Sequence, residues 1–77
     1  MDSVIHRFKN ARIAMFFGDL PPAHVHLLGP GYKVSIEAAT LKTRGRADAR
    51  LVAEARVWIE DNRELIMAVW AERGARR

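Results

Sequence analysis

PPAHVHLLGPGYKVSIE, residues 21–37, sets two alternating runs of apolar and polar side chains around one glycine-proline-glycine turn. Period-two alternation is the pattern of a half-buried strand, and a turn former between two such runs makes a hairpin. Strands are expected over residues 24–28 and 32–37. If the turn sets Leu28 opposite Lys33, then Val25 meets Ile36 and Leu27 meets Val34, which keeps apolar side chains on one face. The other face carries His26 opposite Ser35 and His24 opposite Glu37, with both imidazoles on the same side.

Working outward, residues 4–9 and 12–17 alternate in the same way around Asn10-Ala11, and GDLPPA (residues 18–23) leads into the hairpin. From about Ala47 the period changes to the three-and-four spacing of a helix, with Leu51, Val52, Ala55, Trp58, Ile59, Leu65, Ile66 and Val69 on one stripe. Asp48 suits the first turn of that helix and Gly74 its stop. The fold class is therefore α+β: a four-stranded antiparallel meander with one long C-terminal helix packed on one face. Residues 1–77 form a single domain, with strands over about 4–37, a basic linker over about 38–47 and the helix over about 48–73. A fragment near residues 40–42 is a candidate extra edge.

A helix over residues 48–73 would run about 39 Å at 1.5 Å per residue, whereas six-residue strands span only about 20 Å. The sheet cannot cover all of it. Either the helix bends near Asp61-Asn62, where a polar residue interrupts the apolar stripe, or its far half packs on another chain. The second option makes Asn62, Leu65, Ile66, Val69 and Trp70 a partner interface, with Trp70 as its anchor and a homo-oligomer among the possible assemblies.

The chain has no cysteine, which excludes disulfides, thiolate nucleophiles and zinc-thiolate sites and fits a cytoplasmic location. The first residues lack the apolar run of a secretion signal, and LIMAVW is too short to span a bilayer, so no membrane association is expected. Thirteen Lys and Arg against nine Asp and Glu give a net charge of +4, suited to an acidic partner such as RNA or DNA. No GxxxxGK[ST] loop is present, so GPG is turn chemistry and no cofactor is implied.

Strand parity assigns Ile13, Met15, Phe17, Val25, Leu27, Tyr32, Val34 and Ile36 to the helix-covered face. Pairing Phe8 with Ile13, His6 with Met15 and Val4 with Phe17 would put His6 on that face too, away from the other two imidazoles. The open face then shows Arg7, Lys9, Arg12, Phe16, His24, His26, Lys33 and Ser35, cations around one aromatic, which is the chemistry of a single-strand nucleic-acid surface. Two sharper chemistries stay open. His24 and His26 have the spacing of a metal-ligand pair, with Glu37 or Asp19 as a third ligand. Alternatively, His24 held by Glu37 and His26 taking a proton would form an acid-base pair able to cleave RNA without a metal.

The PPAHVHL strand followed by a glycine turn, a short strand and a helix ending in EDNRELIMAVWAERG resembles a small bacterial family, the domain of unknown function 4160. The likeness covers nearly the whole chain. The positions that match the family's strand motif are Pro21, Pro22, His24, Val25 and His26, and those matching its helix motif are Asn62, Arg63, Glu64, Leu65 and Trp70. The family commonly carries an acidic residue and a histidine before the prolines, whereas here Asp19 is followed by Leu20, and Ala23 completes the proline run. Family members are described as toxin components of toxin-antitoxin pairs, so the resemblance implies a cognate antitoxin. The expected role is a toxin-like interaction module that uses the open sheet face around HVH. A metal-independent RNA-cleaving enzyme and a nucleic-acid-binding transcriptional regulator are the alternatives.

Overall fold

The computed structural model describes residues 2–16 and 22–73. In chain order the elements are β1 (Asp2–Phe8), β2 (Ala11–Phe16), β3 (His24–Gly29), β4 (Tyr32–Glu37), β5 (Thr43–Arg44), α1 (Ala49–Asp61) and α2 (Arg63–Arg73). The strands form one five-stranded antiparallel sheet in the order β1-β2-β3-β4-β5. The α+β class holds, while four strands become five and one long helix becomes two.

The β3–β4 hairpin is the fixed point. Pro30 and Gly31 form its two-residue turn, and Gly31 takes φ 77°, the positive value that the third position of a type II turn requires after proline. The resulting register is the expected one, from His24↔Glu37 and Val25↔Ile36 to Leu28↔Lys33. At Gly29 any Cβ would collide with the Tyr32 ring lying over it, and the Tyr32 hydroxyl donates to the Asn10 carbonyl at 3.2 Å, tying the two hairpin ends together.

The β1–β2 register differs from the expected one. The turn holds only Lys9 and Asn10, so Phe8 pairs with Ala11 and His6 with Ile13, two residues away from the expected partners. A two-residue shift preserves parity, so His6 still faces the helices, where its ring stacks on Trp58 at 4.5 Å. A bulge at Ile5 then reverses parity: Val4 lies opposite Ala14 on the open face, while Ile5 packs on the core. The expected Val4–Phe17 pair is thereby replaced, and Phe17 itself lies outside the described residues.

The extra edge is β5, just beyond residues 40–42. Leu41 reverses the chain with φ 65°, and its amide donates to the Glu37 carbonyl at 2.9 Å. Gly45, at φ 109°, passes so close to β4 that a Cβ would sit 2.7 Å from the Lys33 carbonyl oxygen.

Asp48 is the N-cap of α1, its carboxylate accepting from the Arg50 amide at 2.8 Å. Thirteen residues of α1 span about 20 Å, the length of the strands beneath. Asn62 ends the helix by leaving helical geometry, with ψ 26°, while its side-chain amide donates to the Trp58 carbonyl at 2.9 Å. α2 resumes at once, the Ile66 amide donating to the Asn62 carbonyl at 3.0 Å. Of the two sequence options, bending at Asn62 is what the chain does. Ile13, Met15, Val25, Leu27, Val34 and Ile36 of the sheet bury with Ala38, Ala55, Ile59 and Ile66 in one core.

Candidate functional site

The open sheet face is ordered in rows set by the ladder. Nearest the β1–β2 turn run Arg7, Arg12, Leu28 and Lys33, one per strand. The next row holds Val4, Ala14, His26, Ser35 and Arg44. Strands lie about 4.8 Å apart, so the cations of the first row spread over about 14 Å. Arg7 is directly opposite Arg12. Among the described residues neither guanidinium has an ion-pair or side-chain hydrogen-bond partner.

Beyond the cations lies an aromatic group. The Phe16 ring stacks on His26 with centroids 4.1 Å apart and planes 15° from parallel, and the Lys33 ammonium sits 5.3 Å from the Phe16 centroid. His26 is thereby only 8% exposed. The expectation of a solvent-facing imidazole is corrected at this position: parity gave the right face, but the neighbouring ring covers it. His24 is half-buried, its Nδ1 donating to the Pro22 carbonyl at 2.9 Å, which fixes a proton on that nitrogen because a carbonyl only accepts. The two imidazoles stand 5.0 Å apart, edge to face, and Trp70 of α2 lies 5.4 Å beyond His24.

Glu37 lies opposite His24 in the ladder, and its carboxylate accepts from the Thr40 hydroxyl at 3.0 Å in the β4–β5 turn. Among the described residues no group of three or more His, Cys, Asp or Glu is placed to hold a metal ion. Asp19, the other carboxylate considered for such a site, lies outside them.

The residues assigned from sequence to a partner interface are scattered by the bend. Ile66 is fully buried in the chain's own core, a correction to that assignment, and Asn62 is occupied in capping α1. Val69 and Trp70 pack against the core from its edge, and Leu65 stays 47% exposed. Arg63, one of the family-motif positions, donates through Nε to the Ala38 carbonyl at 2.7 Å and ties the start of α2 to the end of β4. Besides Val4, which the bulge turns over, the sequence reading leaves Leu28 and Arg44 out of the open face. Leu28 shares the parity of His26 and could have been placed by it, whereas Arg44 depends on β5, whose two residues carry no period.

Among the described residues, no helix is long and apolar enough to cross a membrane. No curated protein and no solved structure matches the chain. A family model described as Domain of unknown function (DUF4160) matches residues 10–71, from the β1–β2 turn through most of α2 and including both the HVH strand and the DNREL helix start. Over four-fifths of its length, then, this chain belongs to the DUF4160 family.

Proposed function

We propose that the chain is the toxin-like member of a toxin-antitoxin pair and works as an interaction module, its open sheet face binding single-stranded nucleic acid. Membership of such a pair rests on the family resemblance. The binding mode rests on one observation, the Arg7↔Arg12 pair. Like charges directly opposite in a sheet destabilise it by roughly 0.2–1 kcal/mol, and among the described residues no acidic side chain compensates. A rule of sheet stability broken without local compensation marks a place that serves something else. Phosphates would supply the missing counter-charge, and Lys33 and Arg44 continue the cationic track across the sheet.

This geometry favours binding over cleavage. An acid-base pair must reach a ribose hydroxyl or leaving group within hydrogen-bond distance. His26 lies under Phe16 at 8% exposure, so its ring serves the packing of this face rather than a reacting atom above it.

Fluorescence anisotropy of a labelled single-stranded RNA tests the binding reading. Three to four phosphates neutralised by this face give a log–log salt slope of about −2 to −3. Arg12→Gln and Lys33→Gln should each reduce that slope by about 0.7. A flat salt response, or binding indifferent to both substitutions, refutes the reading. Growth arrest on expression, relieved by the product of a neighbouring gene, is the expected outcome for the paired role.

A further inference from the structure

At the sheet end that bears the β1–β2 and β3–β4 turns lies a cleft of about 400 Å³. Arg7, Lys9 and Arg12 line it and no acidic residue does, while Leu28 and Pro30 give it apolar wall. Among the described residues none of those three cations is engaged in an ion pair or a side-chain hydrogen bond. The cleft is the size of a small-ligand site, for which about 300–1,000 Å³ is usual. A bare phosphate would leave most of it empty, whereas a nucleotide brings an uncharged base and sugar for the apolar wall and an anion for the cations. A terminal phosphomonoester carries about −1.5 to −2 charge near neutral pH, against a single charge on an internal phosphodiester. Three cations lining one cleft therefore favour an end over the middle of a strand.

We propose that this cleft binds a phosphorylated nucleotide, free or at the end of a strand, with Arg7, Lys9 and Arg12 on its terminal phosphate. The assignment rests on the nucleic-acid reading above and sharpens it, since it names the part of the strand that is held. The track through Lys33 and Arg44 would carry the rest of the strand away from the cleft.

The test compares the full chain's affinity for short single-stranded RNAs of one sequence ending in a 5′-phosphate, a 3′-phosphate or hydroxyls only. AMP and adenosine are titrated separately and followed by backbone amide shifts. One phosphorylated end should bind about tenfold tighter or more than the hydroxyl-ended strand. AMP, but not adenosine, should shift the amides of Asn10 and Gly29. Arg12→Gln should abolish the end preference, and Lys9→Gln, at the exposed turn tip, should weaken it if the first variant fails to fold. Lys33→Gln, outside the cleft, should weaken all the strands by one common factor. Amide shifts with AMP and no end preference among strands would assign the cleft to a free nucleotide. Equal affinity for all ends, with no response to AMP and the salt dependence retained, overturns the cleft and leaves the face-binding reading standing. Absence of binding to any strand, with no response to AMP, overturns both.

Discussion

Replacing Arg7 by glutamate should make the protein more stable and less able to bind RNA. Arg7 faces Arg12 across the β1–β2 ladder, one pair inward of the Phe8↔Ala11 pair that flanks the turn, where both side chains project from the open face. The substitution removes a like-charge repulsion of roughly 0.2–1 kcal/mol and installs an opposite-charge pair of similar size. Because Arg7 is exposed, water screens both contributions, and a net gain of about 1 kcal/mol is the reasonable expectation. For a domain of 77 residues that corresponds to a rise of about 4–8 °C in Tm.

Thermal unfolding followed by circular dichroism reads this directly. The gain should be largest near 10 mM salt, where the Debye length is about 30 Å, and should shrink towards zero at 1 M, where it is about 3 Å. RNA affinity should fall over the same comparison, because the face loses one cation and acquires an anion next to another. A Tm that is unchanged or lower at low salt, with the native amide spectrum retained, would refute the claim that the arginine pair is a stability defect. The argument that the pair serves binding would go with it.

The remaining predictions concern the joints of the fold. Gly45→Ala should cost about 2 kcal/mol or more in urea unfolding, since the new Cβ would press on the Lys33 carbonyl at 2.7 Å and φ 109° is unfavourable for any side chain; a neutral result would mean β5 can lift off β4 freely. Arg63→Ala should cost about 1–3 kcal/mol by leaving the part-buried Ala38 carbonyl without its charged donor, whereas Arg56→Ala on the exposed side of α1 should fall within about 0.5 kcal/mol of the parent. His26→Ala should behave as a core truncation and lower stability by about 2 kcal/mol or more, with Phe16 fluorescence-neutral but its ring protons shifted in NMR; a stable variant that has lost only activity would restore a catalytic role for the imidazole.

How far the sequence could be read depended on how tightly each turn specified its register. Pro30-Gly31 admits one tight turn, so the facing of β3 against β4 followed from it, and with it the side taken by His24 and His26. Lys9-Asn10 carries no such constraint. A loop of two residues and a loop of four both keep His6 on the helix side, so parity could not choose between them, and nothing in SVIHR announces the bulge at Ile5. Asn62 was visible as a polar interruption in an apolar stripe, but whether a helix bends or recruits a partner there is decided by the sheet end that Arg63 finds at Ala38. Burial of His26 was illegible for a related reason. Periodicity assigns a side chain to a face and says nothing about which neighbour leans over it, and Phe16 crosses from β2 to do so.

The two motifs that carry the family resemblance meet at one end of the molecule. The Ala38 amide donates to the Ala23 carbonyl at 3.0 Å, and the Ala38 carbonyl accepts from Arg63, so a single residue joins the PPAHVH segment to the DNREL segment. Trp70, in the third turn of α2, then lies against His24, while Val25 between the histidines is sealed in the core. Each of these residues already has structural work that explains its presence: a cap, a donor to a carbonyl, a packed ring. The uncompensated cations Arg7, Lys9 and Arg12 stand at the opposite end, against the β1–β2 turn, and the family match begins at Asn10, after the first two of them. The motif end therefore accounts for how α2 is held to the sheet, and the proposed binding belongs at the other end, where Arg7 and Arg12 face each other in the ladder.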